Sequence, residues 1–382
     1  MRDQVAILSG QLAELEKSPG STNLRELTAV HMRLGGALLD AGRIQDGLDA
    51  FSWVIERCGE ADDPSIRLSA GLALYLSAEA MYGREDWSAG DDALAEIRRR
   101  FSDDADLAVR ALALTARAKE ASMLAARGRF LEALAVYDDV LSRVPTAQEQ
   151  DRAVHFERAV AQALAEKAEV LRKLNRSGEA LATYSEFLRR HSNSSDREVR
   201  SWLCVVLPGK ASVLFHSELY ESALDTVDDL LVEFAGDLTA DREALADAVL
   251  TRTASLMNLG RDEEALTSND EFVNRYWNDA SLPQRRRALG LGAWIRRRLG
   301  RPAEALQLYD RALEITDGLS PHSVAFLALR RAEALTDLDR HDEARLALED
   351  IVARGHRDAD EGMVELVAQA REVLDTLDSQ AE

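Results

Sequence analysis

The chain has 382 residues, of which 47 are basic and 68 acidic, so its formal net charge is −21. This charge opposes general binding to nucleic acid or to an anionic membrane surface, because phosphate groups would be repelled. Apolar residues make up 46% of the chain and aromatic residues only 5%, which is typical of a globular protein built from packed helices.

The first 22 residues are predicted to form a separate N-terminal helix, because apolar side chains recur along one side of residues 4–15. Charged residues such as Asp3 and Glu14 interrupt the apolar block that a secretory signal requires. No segment of the sequence is long and apolar enough to span a membrane, and two cysteines cannot build a disulfide framework. We therefore expect a cytoplasmic protein, whose first helix either covers the repeats that follow or pairs with another chain.

Residues 23–356 carry a recurring phrase, in which a small residue stands before Leu and after one or two acidic residues. Successive phrases are 46, 40, 47, 43, 42, 40 and 39 residues apart, with a mean near 42. This regular spacing predicts about eight copies of one structural unit. The phrases are Gly47-Leu48, Ala93-Leu94, Ala133-Leu134, Ala180-Leu181, Ala223-Leu224, Ala265-Leu266, Ala305-Leu306 and Ala344-Arg345.

Each phrase is predicted to lie at the start of the second helix of a helix pair. Several phrases follow a Gly-Arg turn, as at Gly42 and Gly260, and glycine readily adopts the left-handed conformation that ends a helix. Four residues after the small residue comes a large one, on the same helix face. These residues are Phe51, Ile97, Tyr137, Tyr184, Val227, Tyr309 and Leu348, and Asn269 interrupts the pattern.

Capping signals and irregular units complete the predicted organisation. Ser or Asp before Pro marks helix starts at Asp63-Pro64 and Ser320-Pro321. The second unit is degenerate, and we predict that its turn extends from Gly83 to Gly90. A capping helix is predicted within residues 357–382. Its expected apolar side consists of Val364, Val367, Ala368, Ala370, Val373 and Leu374.

These features resemble the tetratricopeptide repeat (TPR) family. The resemblance rests on Leu34, Gly35 and Leu38 in the first helix, on the turn glycines, and on the pairs of small and large residues in the second helices. The units are longer than the family's usual length of about 34 residues. The resemblance implies an all-α, right-handed superhelical solenoid of stacked antiparallel helix pairs. In such a fold, neighbouring pairs bury apolar faces that one pair alone would expose.

No motif for catalysis or cofactor binding is convincing. The segment 207–212 is similar to a phosphate-binding loop, but the upstream glycine and the preceding strand of that motif are missing. The seven histidines are scattered, and none lies three to five residues from another His or Cys, as a metal site would favour. We therefore expect no enzymatic activity and no cofactor.

One segment differs from the acidic background, since residues 284–301 contain seven Arg and no acidic residue. In the TPR family the first helix of each pair lines a concave groove that binds peptides. The resemblance thus places some of these arginines in the groove, beside residues from the preceding units. The candidate peptide-binding residues are Arg172, Lys173, Phe215, His216, Met257, Asn258, Arg286, Arg287, Trp294, Arg297 and Arg298.

Two interpretations of the arginines remain open. They can bind the carboxylates of an acidic peptide, or they can pair with the acidic residues of neighbouring repeats. The first interpretation predicts a non-enzymatic adaptor with a protein or peptide partner, and with neither nucleic acid nor membrane as a ligand.

Two other functions remain open. One is a peptide-responsive regulator that acts on a separate effector chain, similar to bacterial receptors built from longer TPR-like repeats. Those receptors carry an N-terminal effector domain, for which the start of the first repeat near Leu24 leaves no room. The other is self-association between an acidic end of one chain and the arginine-rich seventh unit of another.

Overall fold

The computed structural model of the chain describes residues 2–17, 24–143, 156–234, 241–315, 320–355 and 361–381. Within these ranges the regular structure consists of helices alone, so the predicted all-α helical repeat fold is confirmed. The chain divides into two compact units, residues 1–202 and residues 203–382. The proposed domain boundaries at 22/23 and 356/357 lie outside the described residues.

The first unit contains four helix pairs between an N-terminal helix and a short final helix. Its helices are α1 (Arg2–Glu16), α2 (Leu24–Asp40), α3 (Ile44–Cys58), α4 (Pro64–Tyr82), α5 (Trp87–Phe101), α6 (Leu107–Ala126), α7 (Phe130–Ser142), α8 (Glu157–Lys173), α9 (Ser177–His191) and α10 (Arg197–Ser201). Helix α1 packs on α2 through Leu8, which contacts Leu34 and Leu38 in one buried cluster. The cap predicted at Asp63 is confirmed, because its carboxylate accepts a hydrogen bond from the backbone N–H of Ser65.

The second unit contains four further pairs and a final helix. Its helices are α11 (Leu203–His216), α12 (Tyr220–Glu233), α13 (Arg242–Asn258), α14 (Asp262–Arg275), α15 (Leu282–Arg298), α16 (Pro302–Glu314), α17 (Pro321–Thr336), α18 (His341–Gly355) and α19 (Glu361–Ala381). The predicted apolar side of α19 was wrong at two positions, since Val364 is 59% exposed and Ala368 is also exposed. Ala370 is buried as predicted, and the predicted Val367, Val373 and Leu374 are partly buried against the same cluster. The other buried residues of the helix are Met363, Leu366 and Leu377.

Each of the eight helix pairs turns at one residue with a left-handed backbone. These residues are Gly42, Glu85, Gly128, Asn175, Glu218, Gly260, Gly300 and Asp339, with φ between 55° and 75°. The second pair is no exception, because Glu85 occupies the position and α5 already begins at Trp87. The prediction that this turn extends to Gly90 was therefore wrong.

The small residue that the repeat requires follows five positions after the turn residue. In the second pair this position is Gly90, which is buried, whereas Ala93 is only half-buried. A Cβ atom on Gly90 would lie 2.4 Å from Cε1 of Tyr82. The predicted phrase at Ala93 was therefore three residues out of register. Both residues lie on one helix face, so the sequence pattern fits either position.

The large residue four positions further along is buried in every pair. In the third and fourth pairs it is Tyr137 and Tyr184, whose hydroxyls donate to the carboxylates of Glu166 and Glu169. Asn269 fills this position in the sixth pair. Its side-chain amide donates to the carbonyl of Ala288 at 3.0 Å, which explains how a polar residue is buried at an apolar position.

Candidate functional site

Helix α15 uses two of its predicted groove arginines as ties to neighbouring helices. Arg297 forms ion pairs with Glu333 of α17 at 2.6 Å and with Asp337, which caps the C-terminal end of α17, at 2.5 Å. Arg298 pairs with Asp262 of α14 at 3.1 Å. Although burial acts to lower it, the pKa of Arg297 is raised by these two carboxylates. For these two arginines the geometry matches the interpretation in which they pair with acids of neighbouring repeats.

The remaining candidates on α15 lie together in a cleft between α15 and α17. We call this the α15–α17 cleft; its volume is about 500 Å³, and its lining is mostly apolar. Three predicted residues, Arg286, Arg287 and Trp294, come together there. The complete lining is Pro283, Arg286, Arg287, Gly290, Leu291, Trp294, Tyr309, His322, Ser323, Phe326, Leu327 and Arg330.

One wall of the α15–α17 cleft is aromatic and cationic. The ring centroids of Trp294 and Phe326 are 6.5 Å apart. The guanidinium carbon of Arg330 lies 5.0 Å from the Trp294 ring and 5.1 Å from the Phe326 ring, within the range of cation–π attraction. Glu333 holds Arg330 at 2.6 Å and, through its other oxygen, Arg297. The wall is thus fixed by contacts from both helices.

Two further arginines add to the positive charge of the α15–α17 cleft. Arg287 pairs with Asp247 of α13 at 3.3 Å, and Arg286 donates to the carbonyl of Ile315 at 3.4 Å. Burial lowers the pKa of Arg287, and the charge of Asp247 opposes this shift. A guanidinium nevertheless stays protonated in proteins, so both side chains remain cationic.

The other candidates of the second unit lie outside this cleft. Met257 is buried in the core beside Ile295, and its backbone carbonyl accepts a hydrogen bond from Arg298 at 3.0 Å. Asn258 is exposed and donates to the carbonyl of Ala254.

The last two candidates of this unit contact each other at the end of α11. Phe215 is half-buried and lies edge-on to the exposed ring of His216 at 5.4 Å. The Nδ1 atom of His216 lies 2.7 Å from the carbonyl of Ser212. This local contact fixes the imidazole against its own helix.

Arg172 and Lys173 belong to the first unit, in the last turn of α8. Arg172 is held by Glu169 at 2.8 Å, and this hydrogen bond raises its pKa although burial opposes the shift. Lys173 is exposed. Cations at the C-terminal end of a helix also stabilise it through the helix dipole.

Sequence reasoning missed the half of the cleft that α17 contributes. The sequence of this helix carries an apolar stripe through Ala328, Ala332 and Leu335. Phe326 and Arg330 lie beside that stripe, four residues apart, and therefore project from one helix face. An aromatic residue and Arg at this spacing were the available signal.

The described residues contain no candidate metal site and no candidate membrane span. No group of His, Cys, Asp and Glu side chains in these ranges is arranged to hold a metal ion. Likewise, no helix in the described part of the chain is long and apolar enough to cross a membrane.

Comparison with known proteins places the fold. No family model and no curated protein matches the sequence. The apo form of RapI has a similar structure, with a TM-score of 0.58, 11% identity, and coverage of 92% of this chain and 99% of RapI. A second similar structure is that of PH0952 from Pyrococcus horikoshii, a signal transduction ATPase with numerous domains and a tetratricopeptide repeat sensor. Its TM-score is 0.56 and its sequence identity 11%, and the match covers 94% of this chain and 50% of PH0952. These likenesses show a TPR-like helical repeat fold.

Proposed function

We propose that the protein is a non-enzymatic interaction scaffold that binds a peptide segment of a protein partner in the α15–α17 cleft. The observation that carries the proposal is the wall formed by Trp294, Phe326 and Arg330 beside an apolar volume of about 500 Å³. Ligand sites are typically concave, mostly apolar and furnished with a few polar groups. Trp and Arg are also the residues that most often dominate the energy of protein recognition.

The chemistry of the cleft indicates what the peptide carries. An apolar side chain of the peptide would lie against Trp294 and Phe326. An acidic residue beside it would meet Arg287, which has a single carboxylate partner, Asp247, in the described structure. A planar guanidinium has five N–H donors, so one ion pair leaves donors for a second carboxylate. We therefore propose a peptide with an apolar anchor and a neighbouring Asp or Glu.

We also propose that the protein lacks catalytic activity and works in the cytoplasm. The carboxyl group of Glu166 is the candidate acid or base to consider, because burial raises its pKa. One of its carboxylate oxygens accepts from the hydroxyls of Ser122 and Tyr137, and the other accepts from the side-chain amide of Gln162 at 3.4 Å, which is a structural arrangement rather than one open to a substrate. Both cysteines are buried thiols, which supports a reducing compartment.

A second candidate function is that of a peptide-responsive regulator acting on a separate effector chain. The observation that favours it is the likeness to PH0952, whose repeats are described as a sensor. The same cleft would then bind a free peptide instead of a segment of a stable partner. The size of the captured molecule distinguishes the two functions.

Affinity capture from the native organism tests the proposal. The bait is the wild-type chain beside a Trp294→Ala/Phe326→Ala variant, and the matched control is Leu346→Ala, which removes a 68% exposed apolar side chain from α18. We expect the wild type and the control to retain the same partner and the cleft variant to lose it. Equal capture by all three baits would refute the α15–α17 cleft as the site.

Glu substitutions of Arg297 and Arg298 would be poor probes of this site. They would place new carboxylates against Glu333, Asp337 and Asp262, with which the native arginines pair. Like charges at these distances destabilise the fold. Loss of partner binding could then come from damage to the cleft or from loss of folding. The alanine variants leave these ion pairs in place and avoid this ambiguity.

A further inference from the structure

The first unit contains a second cleft, formed by α5, α6 and α7, which we call the α5–α7 cleft. Its volume is about 380 Å³, in the range of small-molecule sites. Four arginines line it, although the chain as a whole carries a charge of −21. They are Arg98, Arg110, Arg117 and Arg143.

Three of these arginines are held by carboxylates. Glu120 pairs with Arg98 at 2.6 Å and with Arg117 at 2.7 Å. Asp139 pairs with Arg117 at 3.2 Å and with Arg143 at 2.8 Å. Two carboxylates thus neutralise two of the three positive charges and hold all three guanidinium groups in place around the cleft.

Arg110 differs from the other three. Its side chain has no ion pair or hydrogen bond within the described ranges, and its Nε atom is buried without a partner. The carboxylate of Asp104 is bound through both oxygens by Arg67, at 2.8 and 2.9 Å. These hydrogen bonds lower the pKa of Asp104, and the charge of Arg110 lowers it by a smaller amount. A buried donor without an acceptor is costly, and an anion in the cleft would relieve that cost.

Besides the arginines, Ser102, Asp103 and Asp139 are the polar residues of the lining, and one side of the cleft is apolar. Leu107, Leu114 and Phe156 lie in the same cleft as Arg110. A ligand that satisfies both sides combines an oxyanion for the guanidinium with an apolar body for these three side chains. Bare inorganic anions would satisfy only the first requirement.

We propose that the α5–α7 cleft binds a small organic oxyanion, a carboxylate or a phosphate monoester, through Arg110. Both groups present two oxygens to the parallel N–H donors of a guanidinium, which is the geometry of a bidentate ion pair. The site lies entirely in the first unit. It does not depend on peptide binding in the α15–α17 cleft, so either proposal can fail alone.

Titration calorimetry with the full chain tests this site with benzoate, phenyl phosphate and the uncharged benzamide. The variants are Arg110→Met, which removes the charge and breaks no ion pair, and the control Arg84→Met, which removes an exposed charge from the same unit. We expect both anions to bind wild type and the control, and Arg110→Met to bind at least about tenfold more weakly. Tighter binding of benzoate would identify a carboxylate ligand, and tighter binding of phenyl phosphate a phosphate ester.

Three results would overturn the proposal. One is equal binding of the anions to wild type and Arg110→Met. Another is binding of benzamide as tight as that of benzoate, which would leave the positive charge without a role. The third is no heat from either anion at millimolar concentration. Thermal unfolding of each variant serves as the folding control.

Discussion

At the residue scale, two glycines of α15 have opposite requirements although they lie two residues apart. A Cβ atom on Gly292 would lie 2.5 Å from the side-chain oxygen of the buried Asn269. A Cβ atom on Gly290 would meet only Leu327, at 3.4 Å, which is a normal contact. Gly292 is therefore required by close packing, whereas Gly290 lines the α15–α17 cleft without being sterically required.

Alanine at the two positions should consequently change stability in opposite directions. We expect Gly290→Ala to raise the free energy of unfolding by about 0.5–1 kcal/mol, because glycine is unfavourable inside a helix. We expect Gly292→Ala to lower it by about 1–3 kcal/mol through overpacking. Urea denaturation of both variants measures the difference, and equal effects would contradict the packing described here.

Another residue-scale prediction concerns acid stability. Hydrogen bonds from Arg99 and then Arg100, opposed by desolvation, lower the pKa of Glu96 from 4.5 to about 2. Because the folded-state pKa is depressed, this carboxylate stabilises the fold fully above 4.5 and loses the effect as the pH falls towards 2. Glu186 has the same arrangement with Arg189 and Arg190 in the fourth pair.

Glu96→Gln should therefore destabilise the protein in a pH-dependent way. The ion pairs are partly exposed, so we expect a loss of at most about 1 kcal/mol near neutral pH. The difference from wild type should shrink as the pH falls from 4.5 and vanish near 2. Denaturation curves across this range measure it, and a difference independent of pH would contradict the assigned pKa.

At the element scale, the eight tight turns define the repeat. Four carry glycine, and Glu85, Asn175, Glu218 and Asp339 adopt the same left-handed backbone with a side chain. At Gly260 an added Cβ would meet nothing within 4 Å, so alanine there would be opposed only by the backbone conformation. A substitution at this turn therefore measures the cost of the left-handed backbone without a change in packing.

Exchanging the residue types at two of these turns measures the free-energy cost of a left-handed backbone for a residue with a side chain. Gly260→Ala should lower the free energy of unfolding by about 1–2 kcal/mol, because a left-handed backbone is unfavourable for residues with a Cβ. Glu218→Gly relieves that strain but gives the unfolded chain more freedom, so we expect a change between zero and about 1 kcal/mol of stabilisation. Thermal unfolding of both variants is the measurement. A larger loss from Glu218→Gly than from Gly260→Ala would overturn this account.

The repeat fold was predictable because its determinants are local. A turn residue, a small residue five positions later and a large one four further on lie within ten residues of each other. The prediction failed where two small residues share a face, since Gly90 and Ala93 both satisfy the pattern. Contact with Tyr82 across the turn decides between them, and sequence spacing does not contain that contact.

The candidate site was less predictable, because ion pairs depend on which residues of neighbouring helices face each other. Arg297 pairs with Asp337, 40 residues away, whereas Arg287 faces both Asp247 and the cleft. The sequence alone does not show which of the two arginines lines the cleft. Phe326 and Arg330 were missed because they lie beside the apolar stripe of α17 and not in it.

At the scale of the whole molecule, the acidic excess and the arginine-rich seventh pair are complementary. The arginines of α15 pair with carboxylates on α13, α14 and α17. Such ties bind successive repeats of the second unit to one another, as nearest-neighbour contacts do in other solenoids.

Site-specific photocrosslinking in the native cell tests the central claim most directly. A photoreactive phenylalanine analogue replaces Trp294 in the α15–α17 cleft in one variant and the exposed Leu346 in the other. We predict that position 294 becomes covalently linked to one partner protein or peptide and that position 346 does not. A crosslink from both positions, or from 346 alone, would contradict peptide binding in the cleft, as would no crosslink from 294.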